Sequence, residues 1–167
     1  GLKRIPGSLL PGFQHGEPET MKRLIPPDDC PEEIARRLDV IQQHRALNAI
    51  LGVNPDAMSQ AEQHQQQRRR GEPIGPLHGV PLIVKDNIAC APMPITLGCR
   101  ALASLNATAD ARVVQRLRRA GAIILARANM SEFAFDVRSR SSLGGDVANP
   151  LCPTLTAGGS SGGCAAA

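Results

Sequence analysis

At 167 residues, 42% of them hydrophobic, the chain can bury one core but is marginal for two. Three Phe with no Tyr or Trp disfavour the aromatic stacking platforms of single-strand nucleic-acid binders. The net charge of +4 is scattered apart from Arg68–Arg69–Arg70, so no stripe offers a phosphate track and the charge reads as ordinary solubility.

In chain order, residues 1–30 are rich in Pro and Gly without a period and read as an irregular arm; residues 31–167 read as a single domain. The chain opens on Gly and breaks off at Ala165–Ala167 inside a helical pattern, so both ends read as truncations. Cys30-Pro31-Glu32-Glu33 is a helix start, and Ile34, Leu38, Ile41 and Leu47 predict a helical stripe to about Ile50. Asn54-Pro55-Asp56 predicts a second N-terminus, with Asn54 as cap, for a polar helix that Gly71 stops; its arginines read as a solvated helix end. Residues 80–84 predict a buried strand. Thr108 or Asp110 is expected to cap a helix over 111–120 with Val113, Val114, Leu117 and Ala120 inward and four arginines outward. Residues 122–126 predict a second buried strand, and strand–helix–strand at this spacing is a βαβ unit with a parallel pair.

Five cysteines without a C-x-x-C pair, and without His at metal-ligand spacing, read as free thiols in a reducing, cytoplasmic compartment and predict no metal. No apolar run is long enough to span a membrane, and no leader opens the chain. Asn106-Ala107-Thr108 and Asn129-Met130-Ser131 match the glycosylation pattern, which recurs by chance and without a leader carries no weight.

Two segments carry chemistry. Gly158-Gly159-Ser160-Ser161-Gly162-Gly163-Cys164 allows a sharp turn and close backbone approach, and is expected to open a helix at Cys164. It lacks the Gly-Lys-Ser/Thr ending of a phosphate loop and misses the G-x-S-x-G spacing of a nucleophile elbow; standing alone, it also reads as a flexible linker. The other segment, Gly75-Pro76-Leu77-His78-Gly79-Val80-Pro81-Leu82-Ile83-Val84-Lys85-Asp86-Asn87, puts a lysine directly after a buried strand, where open α/β sheets hold their ligands. A desolvated lysine there can act as a base; alone, the same pattern also describes a surface lysine closing a strand. Asp86 is ambiguous: it could keep Lys85 charged, but adjacent strand residues point to opposite faces.

Together these segments resemble the amidase signature family from about Leu38 onward. Further landmarks are Thr96-Leu97-Gly98 with Ala101-Leu102-Ala103, the stretch Asp110 to Arg127, and Asn129-Met130-Ser131-Glu132-Phe133-Ala134. Ser142-Leu143-Gly144-Gly145, Asn149-Pro150 and the Gly/Ser loop complete the series. The chain departs from the usual pattern at Thr156-Ala157, at Cys164, and at Ala126-Arg127, where Gly-Lys is frequent.

The resemblance implies the N-terminal part of an α/β fold, a mixed sheet flanked by helices and incomplete at the C-terminus. It implies a triad of lysine, cis-peptide serine and nucleophilic serine. Lys85 then takes the place of the lysine and Ser160 that of the cis serine. The nucleophile and its oxyanion-hole amides are expected beyond Ala167, so this chain alone is expected to be inactive. Met130, Ala134, Gly158, Gly159 and Ser161 are the implied substrate contacts. The implied reaction is hydrolysis of a small-molecule carboxylic amide through a serine acyl-enzyme, with no cofactor, no nucleic acid, no membrane and room for a homodimer. The resemblance also admits the amidase component of a tRNA-dependent amidotransferase, with partner subunits, ATP and tRNA, although no ATP motif or RNA patch is visible. A non-catalytic product of a truncated gene is the third reading.

Overall fold

In the computed structural model, which describes residues 28–167, regular structure begins at an acid-rich N-terminus. The Asp29 carboxylate accepts the Glu32 amide at 3.0 Å, Pro31 fills a position that needs no donor, and Glu32 and Glu33 suit the positive end of the helix dipole. Helix α1 follows over Cys30–Gln43. All but the last three residues of the arm expected over 1–30 lie outside the described residues.

The helix does not run to Ile50. A short 3-10 turn, Arg45–Leu47, ends on Asn48 in the left-handed region (φ 52), and Ile50–Val53 is strand β1. Asn is among the few residues that tolerate that conformation, and a four-residue apolar run is ambiguous until a pairing partner decides it. Helix α2 spans Ala57–Arg69 and ends at Gly71 (φ 67), but its cap is Asp56, without a side-chain bond, rather than Asn54. Asn54 is buried and ties the turn to the sheet: its amide nitrogen donates to the Ile124 carbonyl at 2.8 Å and its amide oxygen accepts from Asp56 N at 3.0 Å.

Strand β2 covers Pro81–Lys85, helix α3 Arg112–Arg119 and strand β3 Ile123–Ala128. Both strands end later than expected, so Lys85 is the last residue of its strand rather than the one after it. β2 and β3 are parallel, Pro81 opposite Ile123 and Lys85 opposite Ala128; β1 joins the other edge of β3 antiparallel, giving a mixed sheet in the order β1-β3-β2. All six residues of β3 are buried. Its alternating side chains serve two layers. Ile123 and Leu125 pack with Cys30, Ile34, Ala57 and Ala61 of α1 and α2, and Ile124 packs with Val84, Cys90, Met93 and Val114 on the opposite face. Each such aliphatic side chain contributes about 1.5–3 kcal/mol of transfer free energy.

Helix α3 is rotated from its expected setting: Val114 is buried but Val113 is 51% exposed. Neither Thr108 nor Asp110 caps it; the cap position is Ala111, without a side-chain bond. Asp110 instead accepts the Ala91 amide at 2.8 Å and pairs with Arg118 at 3.1 Å. That ion pair turns Arg118 inward against Cys90, leaving Arg112, Arg116 and Arg119 exposed. A two-stranded hairpin, β4 (Arg140–Ser141) with β5 (Gly145–Asp146), and a final helix α4 (Gly162–Ala166) complete the described chain. Among the described residues no helix is long and apolar enough to cross a membrane.

Candidate active site

The parallel strands β2 and β3 end side by side, and two residues at the carboxyl end of β2 diverge there. Lys85, half-buried, extends its ammonium nitrogen to the Ser160 hydroxyl, with Nζ and Oγ 2.7 Å apart. Asp86, 1% exposed, goes elsewhere: its carboxylate accepts from Thr96 N at 3.2 Å, Gly98 N at 3.0 Å, the Thr96 hydroxyl and the Arg127 guanidinium. The Thr96–Gly98 turn presents its amides to one anion because Leu97 and Gly98 adopt left-handed conformations (φ 55 and 71). The Asp86 charge is thus answered by Arg127 and two amides, and among the described residues Lys85 forms no ion pair. Arg127 also crowds Gly52 of β1, where a Cβ would lie 2.9 Å from the guanidinium.

The segment Gly158–Gly163 reaches Lys85 through glycines that the surroundings demand. Gly158 has φ 82, and the Gly159–Ser160 peptide is cis. A Cβ on Gly159 would lie 2.6 Å from the Val137 carbonyl carbon, and one on Gly163 would lie 2.3 Å from the Asn129 carbonyl oxygen. Backbone bonds then fasten the loop to the chain leaving β3: Ser131 N donates to the Ser160 carbonyl at 3.1 Å and Gly163 N to the Asn129 carbonyl at 3.1 Å. Helix α4 opens at Gly162, two residues before the expected Cys164. Cys164 is exposed as a residue, yet desolvation of its thiol pushes the pKa up, with the nearby Lys85 charge opposing.

Lys85 and Ser160 therefore meet, and Gly159 precedes Ser160 across the cis peptide. Gly158 and the exposed Ser161 flank them in the same loop. Met130 is fully buried in the stretch that leads to Ser131, and Ala134 is exposed on the short turn Glu132–Ala134 with φ 60.

Sequence reasoning missed the residues that brace this arrangement. Asn129, fully buried, satisfies its whole side-chain amide. Its nitrogen donates to the Asn48 carbonyl at 2.8 Å and to the Gly145 carbonyl at 3.2 Å, and its oxygen accepts from Met130 N at 2.8 Å and Ser141 Oγ at 2.9 Å. The available signal was a short polar residue directly after a largely apolar strand, at the sheet's carboxyl edge. A groove of about 620 Å³ lies instead between Val40 and Ile41 of α1, Ile50 of β1, Leu82 of β2 and Ala167; neither Lys85 nor Ser160 lines it.

Known proteins carry the same arrangement of sequence and fold. Residues 32–167 match the family model described as Amidase. The chain is 43% identical over 122 residues to a glutamyl-tRNA(Gln) amidotransferase subunit of Salinibacter ruber, covering 72% of this chain and 24% of that protein. The same-named protein of Chlorobaculum tepidum is 36% identical over 155 residues, covering 92% and 32%. Among solved structures, native peptide amidase from Stenotrophomonas maltophilia superposes with a TM-score of 0.73 at 36% identity, covering 81% of this chain and 29% of that one. The chain thus spans about a quarter to a third of the length of the curated relatives it matches.

Proposed function

Because the chain belongs to the amidase signature family, we propose that it supplies the base and proton relay of an enzyme hydrolysing a small-molecule carboxylic amide. The observation that carries this is the 2.7 Å contact between Lys85 Nζ and Ser160 Oγ, two residues distant in sequence that meet at the carboxyl edge of the sheet.

A hydroxyl nucleophile needs a base at neutral pH. With Nζ unprotonated, the Lys85–Ser160 contact runs in the other direction: Ser160 gives its proton to Lys85 and takes one from the attacking serine in the same motion, since a hydroxyl donates and accepts at once. The proton then returns along the same path to the departing amine, and water repeats the cycle on the acyl-enzyme. The ion pair Asp86–Arg127 keeps the neighbouring carboxylate turned from Lys85, so the Lys85 nitrogen meets Ser160 rather than Asp86.

The attacking serine and its oxyanion-hole amides belong, on this reading, to the part of the longer relatives that the chain does not span. Residues 31–167 are one portion of a single amidase domain, and expressed alone they hydrolyse nothing. Gly158, Gly159 and Ser161, with Met130 and Ala134 beyond Ser131, border the acyl group. No cofactor is called for, a homodimer is allowed, and cysteines without a C-x-x-C pair suit the cytoplasm. The test is release of ammonia or amine from a panel of simple amides by the full-length gene product; activity retained by Lys85→Ala would sink the proposal.

A second reading is favoured by the amidotransferase subunits at 43% and 36% identity: the same chemistry serving a glutamyl-tRNA(Gln) amidotransferase. Co-purification of the full-length product with partner subunits, and glutamine preferred over simple amides, would decide for it.

A further inference from the structure

Ser139 is fully buried, outside both apolar clusters, and holds a left-handed backbone (φ 54) that serine seldom adopts. Its surroundings account for that conformation. Its amide donates to Ser131 Oγ at 3.0 Å, and the Ser131 hydroxyl in turn donates to the Asp136 carbonyl. Its own carbonyl accepts the Val147 amide at 3.1 Å, tying it to the chain after β5. Held from both sides, Ser139 presents its hydroxyl oxygen to the Gly162 amide at 2.7 Å.

Gly162 shows how close this approach is. A Cβ there would lie 2.3 Å from Ser139 Oγ and 2.6 Å from Ser139 Cβ, so the loop can close on this hydroxyl only with glycine at that position. Two residues earlier, the Ser160 carbonyl accepts from Ser131 N, the residue whose hydroxyl receives the Ser139 amide. Ser131 and Ser139 therefore grip the loop directly after the Ser160 side chain, one at the carbonyl of Ser160 and the other at the amide of Gly162.

We propose that Ser139 is the positioning residue that sets the reach of Ser160 to Lys85. Resting on the reading of those two residues as relay and base, it assigns a function to a serine outside the triad. Ser139 touches neither; it acts through the loop. Without the hydroxyl, the Gly162 amide is left buried without its acceptor and the loop relaxes, lengthening a 2.7 Å contact along which a proton must pass.

Two variants separate this role from a merely structural one. Ser139→Ala removes the hydroxyl and keeps the strained backbone; Ser139→Gly removes the hydroxyl and relieves it. In the full-length gene product, both are expected to lower kcat by about 10–100-fold with KM changed little, because misplacement by about 1 Å costs on that order. Ser139→Gly should nonetheless melt at or above the temperature of Ser139→Ala. Hydrogen exchange supplies a readout independent of turnover: amides of residues 158–163 should lose protection in both variants while those of β3 keep it. A Ser139→Gly protein with kcat within about threefold of wild type, or with exchange at 158–163 unchanged, overturns the proposal. If the wild type hydrolyses no amide, the base–relay reading fails on its own, and the exchange experiment still decides whether Ser139 holds the loop.

Discussion

Strand β3 and the Gly158–Gly163 loop, which is fastened to the chain leaving β3, are held by different physics. β3 is buried along its entire length by aliphatic side chains packed from two faces. The loop contributes almost no apolar surface; it is held by the Ser131 amide, the Ser139 hydroxyl and the Asn129 carbonyl, and by glycines whose missing Cβ lets backbone lie against backbone. Apolar packing is non-directional and gives the strand its stability, whereas hydrogen bonds at fixed angles give the loop its geometry. Damage to the first should therefore lower stability with the chemistry intact, and damage to the second should do the reverse.

The largest separation is expected at Lys85. Lys85→Ala in the full-length product should lower kcat by about 10³-fold or more with little change in KM or melting temperature, since it deletes a proton acceptor and no core contact. Steady-state kinetics beside a thermal melt checks this, and a large fall in stability would erase the distinction between the regions.

Arg127 tests the boundary, because it sits in β3 but works by polar contacts. Arg127→Ala leaves the Asp86 carboxylate buried without its countercharge, which typically costs about 3–5 kcal/mol, measurable by denaturant unfolding. Activity of the folded fraction should fall as well, since Asp86 is then free to turn toward Lys85. Ile124→Ala, on the apolar side, should cost about 2–5 kcal/mol and leave the kcat of the folded fraction near wild type.

The same contrast governs what could be read in advance. The parallel pair around α3 was legible because runs such as Ala122-Ile123-Ile124-Leu125-Ala126 admit few other homes in a protein interior. Lys85 and Ser160 were legible only through the resemblance of several motifs in one order. β1 was not, because Ile50–Val53 continues a helical stripe until pairing with β3 claims it. Val113 and Val114 are equivalent in type, and the Asp110–Arg118 ion pair, a tertiary contact, accompanies the turn that leaves only one of them inside. Ser139 was invisible for a different reason: one serine among many carries no periodic signal, and its role exists only once Gly162 lies against it.

The smallest expected effect is a pH dependence of the scaffold. His64 on α2 stacks on His78, ring centroids 4.5 Å apart, and burial followed by the His78 charge holds the His64 pKa below its ordinary value. The unfolded chain then binds this proton first as pH falls, so stability present above the ordinary histidine value is lost on acidification below about 6.5. Melting temperatures followed from about pH 7.5 to 5.5 should decline more steeply for wild type than for His64→Gln, and parallel curves would remove the histidine pair from consideration.

The most direct test of the base–relay pair compares two adjacent serines in the same loop. Ser160 contacts Lys85, whereas Ser161 is exposed and caps α4 without a side-chain bond. Amide turnover by the full-length product should fall by several orders of magnitude in Ser160→Ala and by no more than about tenfold in Ser161→Ala. Near-normal turnover by Ser160→Ala, or a greater loss at Ser161 than at Ser160, would contradict the assignment of Ser160 as the relay.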